Sequence, residues 1–239
     1  MNKITLPLGA LWTRTLLRLI LVLLLGAVQT GALLDITDTP PLLNVPTYSL
    51  ATRVPQPSQD NTENDTTTAV TTTAMNILTY ATPVSIRPDR IWALGLYKGT
   101  QTHDCFCQTG QGVLQMLAPE HAPIVKLLGG TSGYEIDKQS ECARLGFPWI
   151  RPDEENKQLP HLLPNCVSYL QLSLVDNGLV DCGSHQVALC KVDAMYQNES
   201  LENADDDGEM NYLDTASLRR MGIITKQGRV AEEEQSHYN

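Results

Sequence analysis

The chain has 239 residues, with 27 acidic against 17 basic side chains and a net charge of −10. That balance argues against a nucleic-acid surface, which needs clustered Lys and Arg. With a leader of about thirty residues set aside, about two hundred remain, enough for one domain with a full core or for two small ones.

Taken in order, the chain opens with Lys3, Arg14 and Arg18 ahead of an apolar run, Leu19 to Val28. The run is too short to span a bilayer and fits the core of a signal peptide over residues 1–32, cut after Thr30 or Ala32. An uncleaved signal anchor starting at Leu16 is the competing reading, and the only route to a membrane. Residues 33–43 read as a linker. Asn44 to Arg53 has the composition of a short strand. Val54 to Thr73 is poor in apolar residues and rich in Thr, Asn, Gln and Pro, which marks a disordered insertion. It holds one glycosylation sequon, Asn64-Asp65-Thr66; Asn198-Glu199-Ser200 is a second.

The informative stretch runs from Asn76 to Thr102. One extended segment is expected over Asn76 to Ser85, where Thr79, Tyr80 and Thr82 supply β-propensity. Another covers Arg90 to Tyr97, where Ile91, Ala93, Gly95 and Tyr97 alternate with Trp92, Leu94 and Leu96. Pro83 and Pro88 belong at strand ends or corners, because neither donates to a ladder. Both segments carry small polar residues: Asn76, Thr79, Thr82 and Ser85 on the first, Lys98, Gly99, Thr100 and Thr102 after the second. Such a surface suits a flat polar ring on one side and an anionic tail on the other.

Beyond it, Cys105 and Cys107 fall in an expected strand or loop, and Gly112 to Leu117 reads as a strand. Pro119 to Leu128 reads as a helix that Gly129 and Gly130 end as a C-terminal cap. Asp137 to Leu145 is a second helix, closed by Gly146, and 148–164 is irregular. Val167 to Val175 alternates as a half-buried antiparallel strand does. His185 to Asp193 is its partner, with turn dipeptides Asn177-Gly178 and Cys182-Gly183 between them. Asp214 to Met221 is a helix with Asp214 or Thr215 as N-cap and Gly222 as stop. The acidic runs, Glu202 to Glu209 and Glu232 to Glu234, read as solvated loop and tail, with 227–239 set outside the domain. A secretory leader favours disulfides, yet the six cysteines follow no framework. They lack zinc spacing, so a structural metal is not expected, and most read as buried small hydrophobes. A route through the endoplasmic reticulum toward a reducing organelle also accommodates them. Several strands with few, short helices indicate a mainly β protein built as a closed or partly closed barrel.

MNILTYATPVSIRP followed by LYKGTQT, then VKLLGGTSGYEIDK, then LPNCVSYLQLSLV and GSHQVALCKV, resembles the flavin reductase-like family of FMN-binding split β-barrels. The nearest flavour is its plant and algal branch. The resemblance covers roughly Asn44 to Thr225. It implies a Greek-key barrel of six strands or similar with a few short peripheral helices. It also implies a homodimer with flavin near the interface, and reduction of that flavin by NADH or NADPH. Carried onto this chain, Asn76, Thr79, Tyr80, Ala81, Thr82, Pro83 and Ser85 would line the flavin ring. Lys98, Gly99, Thr100 and Thr102 would hold its phosphate; FAD is an alternative to FMN. His185 matches a Gly-x-His position and would serve the nicotinamide as the catalytic residue.

Two function classes follow: an NAD(P)H-dependent flavin reductase, or a non-catalytic flavoprotein for storage or electron relay. A third, weaker option is a glycosylated binding protein with an empty barrel. The leader is compatible with a plastid, the secretory lumen or the cell exterior. Without the resemblance, Thr79, Thr82 and Ser85 read as surface β-formers, Lys98 as a solvated cation and His185 as an exposed strand-end histidine.

Overall fold

The computed structural model describes residues 43–55, 73–152, 158–198 and 211–231. The leader, most of the Thr-rich insertion with Asn64, and both acidic runs lie outside the described residues. Among the described residues no helix is long and apolar enough to cross a membrane.

Seven antiparallel strands form one sheet in the order β2-β1-β5-β6-β7-β4-β3. They are β1 (Tyr48–Arg53), β2 (Thr73–Leu78), β3 (Ala81–Ser85), β4 (Ile91–Tyr97), β5 (Gln111–Met116), β6 (Ser168–Cys182) and β7 (His185–Gln197). The two edge strands, β2 and β3, are consecutive in the chain and separated only by Thr79 and Tyr80. Two residues cannot span an open seven-stranded sheet, so the sheet curls until its edges meet at that corner. The result is a split β-barrel, as the strand pattern and the resemblance led us to expect.

Alternation decides which face is interior. Tyr48 and Leu50 of β1, Leu94 and Leu96 of β4, Leu114 of β5, Leu170 and Leu172 of β6, and Ala188 and Cys190 of β7 meet in one buried cluster. Phe106 enters it from helix α1 (Gln101–Thr109) and is fully buried. The outer face of β1 and β2 is covered instead by short helices, so β1 is buried on both sides. Those helices are α2 (Val125–Gly130), continuing a 3₁₀ turn at Pro119–Ile124, then α3 (Lys138–Arg144) and α4 (Thr215–Arg220). Val125, Leu128, Cys142, Trp149 and Leu218 build a second core there with Ala51 and Met75. Asp214 caps α4, accepting from the Ser217 N–H at 2.6 Å.

Five expectations are corrected. The segment around Cys105 and Cys107 is helix, not strand or loop: Thr100 is the N-cap of α1, and Gly110, at φ 64°, ends it. Gly129 and Gly130 lie inside α2 and do not cap it. Asn177-Gly178 is not a hairpin turn but part of an irregularity within β6, whose register shifts between Leu174 and Leu179. Pro83 sits within β3, opposite Trp92, and an edge strand tolerates it there. Residues 223–231, partly assigned to the tail, fold into a hairpin through an Ile224–Val230 bridge. All six cysteines are free, and four of them are buried.

Candidate functional site

The barrel corner borders a cavity of about 610 Å³, within the range of small-molecule sites. Its floor comprises Asn76, Ile77 and Leu78 of β2 with Leu50 and Leu96. One side is the start of α1, with Thr100, Thr102 and His103, and the mouth carries Tyr80, Tyr97, Ser184 and His185. The far wall is Gln227 to Val230 of the C-terminal hairpin, set against Gly129 of α2.

Each wall has a local cause. The β2–β3 corner is fixed by the Gly95 N–H donating to the Tyr80 carbonyl at 2.7 Å. Gly95 is required because a Cβ there would lie 2.9 Å from Tyr80 Cβ, below any ordinary contact. Tyr80 therefore rests over β4 and reaches the mouth. Thr100 is held as an N-cap: its Oγ1 accepts from the His103 N–H at 3.2 Å and donates to the Tyr97 carbonyl at 3.1 Å. The start of α1 thus borders the cavity, and a helix N-terminus favours anions.

His185 stands between two tyrosines, its ring centroid 5.6 Å from Tyr80 and 5.2 Å from Tyr97, both edge-on. Its Nδ1 lies 3.0 Å from Ser184 Oγ. These three rings form an aromatic rim at the mouth, and Tyr80 is 63% exposed and Tyr97 59%. Behind the α1 wall, His103 Nδ1 donates to Asp104 Oδ1 at 2.8 Å, and Tyr134 donates its hydroxyl hydrogen to Asp104 Oδ2 at 2.7 Å. The Tyr134 bond first, and His103 second, hold the Asp104 carboxyl below the usual carboxylate range. His103 Nε2 lies 3.1 Å from Gln186 Oε1 and 3.6 Å from Cys107 Sγ. Burial and the Asp104 charge push the Cys107 thiol up, so it is a poor nucleophile.

Of the residues singled out from sequence, Asn76, Thr79, Tyr80, Thr100, Thr102 and His185 come together around this cavity. Ala81, Thr82, Pro83 and Ser85 follow the corner onto β3 and are not among its lining residues. There Thr82 and Ser85 donate to their own strand's neighbourhood, to the Pro83 and Arg87 carbonyls. Lys98 is likewise outside the lining, paired with Asp181 at 2.5 Å, which with the Gly183 N–H keeps the Asp181 carboxyl low. Gly99 makes the turn before α1 at φ 78°.

Sequence reasoning missed His103, Ser184 and the hairpin residues. His103 was within reach. A threonine followed by nine helix-compatible residues and a glycine is an N-cap and C-cap pair, and it would have placed His103 in the first turn of a helix.

The flavin reductase like domain matches residues 64–216. No curated protein matches the chain in sequence. Among solved structures, flavoredoxin from Methanosarcina acetivorans superposes with a TM-score of 0.57 at 16% identity, over 77% of this chain and 86% of its own. An FMN-binding protein from Thermus thermophilus, with bound p-hydroxybenzaldehyde, gives 0.55 at 16% identity over 85% and 94%. The NADH:FAD oxidoreductase of Streptomyces globisporus C-1027, in complex with NAD and FAD fragments, gives 0.50 at 14% over 70% and 87%. At such identities the likeness concerns the fold, which agrees with the split barrel described above. The sequence match covers well over half of the chain and includes the β2–β3 corner and α1: the chain belongs to the flavin reductase-like domain family.

Proposed function

We propose that the protein is an FMN-binding flavin reductase in which hydride passes from the nicotinamide of NADH or NADPH to the flavin, with FAD as the alternative flavin. Within the family we place it in the plant and algal branch, the flavour its sequence most resembles. The observation that carries the reading is the coincidence of cavity and sheet edge. β2 is a terminal strand, so its outer backbone groups have no ladder partner, and Asn76 to Tyr80 border the cavity. Asn76 already turns its Oδ1 back to the Ile77 N–H at 2.8 Å, as an edge strand does when no neighbouring strand takes that donor.

Flavin bound there would supply the two-electron chemistry. The protein's part is to bind and orient. Backbone groups of Asn76 to Tyr80 would hydrogen-bond the polar edge of a flat ring, with Leu50, Leu78 and Leu96 beneath it. Thr100, Thr102 and the α1 N-terminus would take a phosphate. Such a site has the donor set this ligand needs: hydroxyls and N–H groups, with apolar side chains under the ring. His185, fixed between Tyr80 and Tyr97, would orient the nicotinamide at the mouth. No acid–base pair is required for hydride transfer between stacked rings.

A homodimer goes with this reading. Tyr80 and Tyr97 near the corner, and Val84 and Ile86 at the far end of β3, are all more than half exposed, apolar surface that a second copy would cover. Entry through the endoplasmic reticulum, toward a plastid or the cell exterior, goes with the leader.

The test is an anaerobic absorption experiment on the purified protein. Loss of the oxidised-flavin band near about 450 nm on adding NADH or NADPH supports the reductase. His185→Ala should slow that loss while leaving the flavin bound. A yellow protein that neither nucleotide bleaches is the non-catalytic flavin carrier, and a protein that stays colourless with added FMN refutes both.

A further inference from the structure

The cavity's far wall lies beyond the residues that match the family, which end at 216. It is the hairpin 223–231, tied by Thr225 N–H to the Arg229 carbonyl at 2.7 Å and by Ala231 N–H to the Ile223 carbonyl at 2.9 Å. Gly228, at φ 80°, makes its turn. The hairpin is seated on α2 through two glycines. A Cβ on Gly129 would stand 3.4 Å from Val230 Cγ2, and one on Gly130 would stand 3.1 Å from Val230 Cγ1. The second of these distances is too tight without displacement. The glycine pair therefore works as a seat that lets this strand approach closely, and it costs α2 helix propensity.

What the seat brings to the cavity is Arg229. Among the described residues that line it, Arg229 is the one Lys or Arg. Lys98, which the sequence offers for an anion, is committed to Asp181 outside the lining. The Arg229 backbone is used within the hairpin, its N–H donating to Thr225 Oγ1 at 3.3 Å. No hydrogen bond or ion pair to another described residue engages its guanidinium. In a chain of net charge −10, an anionic ligand enters against the field of the whole protein, so a local cation has work to do.

We propose that Arg229 is a specificity-determining residue that recognises a phosphate of the bound nucleotide, from a hairpin that lies beyond the residues matched to the family. The proposal rests on the flavin reading of the cavity. A guanidinium offers a planar fork of donors to phosphate oxygens, and the contact is charge-assisted. Two phosphates are in play, the monoester of a flavin mononucleotide and the phosphates of a pyridine dinucleotide.

The experiment separates them with the full chain, stripped of any flavin. FMN and riboflavin are titrated by flavin fluorescence into wild type, Arg229→Ala and Arg229→Lys, and NADH and NADPH are then titrated into the FMN-loaded proteins. Arg229→Ala should weaken FMN by about tenfold or more and leave riboflavin unchanged, with Arg229→Lys recovering part of the loss. If the loss falls on the dinucleotide instead, with both flavins unchanged, the same residue reads that phosphate. Equal losses for FMN and riboflavin, or no loss for any ligand, overturn the assignment while leaving a flavin site standing. A wild-type chain that takes up neither flavin overturns the flavin reading and this inference together.

Discussion

Lys138 offers the sharpest test of how the cavity wall is held. It opens α3, is 6% exposed, and donates to two carbonyls, Leu128 at 2.6 Å and Met75 at 3.2 Å. Those bonds tie the end of α2 to β2, each one residue away from a cavity-lining position, Gly129 and Asn76. Among the described residues no salt bridge compensates the ammonium, and the titratable group beside it is the Cys142 thiol one turn along α3. Burial accordingly pushes its pKa down from the ordinary 10.5 to about 8. The native fold therefore carries this charge at a cost of about 3 kcal/mol at neutral pH. As pH rises through about 8, the native amine loses its proton while the unfolded chain keeps it until near 10.5. The unfolded state then binds more protons, so stability rises with pH. Between about pH 7 and about pH 9.5 the gain is about 2 kcal/mol. Lys138→Met keeps the apolar stem and removes the titration. The thiols of Cys105, Cys107, Cys142, Cys166 and Cys190, all pushed up by desolvation, act in the opposite sense above their ordinary 9.0. They are common to both proteins, so they cancel in the difference, apart from the part of the Cys142 thiol that senses Lys138. Urea unfolding of the two proteins across that range should show wild type gaining on the variant by the stated amount. Parallel stability curves would show that the amine titrates as it does in water, and the clamp would fall.

Gly95→Ala should cost about 1–3 kcal/mol in thermal or urea unfolding, because its Cβ meets Tyr80 Cβ at 2.9 Å in a corner closed by backbone; an unchanged melting temperature would show that the corner yields freely. Lys98→Ala breaks only an exposed pair with Asp181 and should leave FMN affinity at the wild-type value. Thr100→Val, which removes the α1 cap, should cost about 1 kcal/mol and weaken FMN more than riboflavin. Fluorescence titration of the two flavins checks both, and a larger FMN loss at Lys98 than at Thr100 would reverse the placement of the phosphate.

What the sequence showed well were elements whose two faces differ. β4 and β6 alternate as read, and the structure turns Leu94, Leu96, Leu170 and Leu172 inward. Helix α4 carries its own cap in Asp214. Where a signal had two physical meanings, the wrong one was favoured. Gly129-Gly130 resembles a helix stop, but its missing side chains serve Val230, a contact a hundred residues away that no local pattern records. Asn177-Gly178 has turn chemistry, and its Asn does adopt φ 54°. The chain spends that conformation on a strand irregularity, because the β6–β7 ladder resumes beyond it. Lys98-Gly99-Thr100 looked like an anion loop. Its lysine turns to Asp181, and only the threonine, by starting a helix, reaches the cavity. The candidate site was thus legible as a region and only partly as a set of side chains.

The reason lies in how this barrel closes. A sheet whose edge strands are neighbours in sequence is forced shut by a link of two residues, Thr79 and Tyr80. The chain turns from one edge to the other there, so residues before and after the corner belong to different walls. Asn76, Thr79 and Tyr80 border the cavity, while Ala81 to Ser85 run away from it along β3. A linear reading treats NILTYATPVS as one surface, and the corner divides it in two. The same bend leaves the outer edge of β2 without a neighbouring strand, which elsewhere invites aggregation. Here the α1 start, the aromatic rim and the C-terminal hairpin enclose it, and a protected sheet edge with free donors and acceptors is what a flat polar ligand needs. Closure of the fold and creation of the cleft are therefore one structural event, and a change that opens the corner at Gly95 should disturb both.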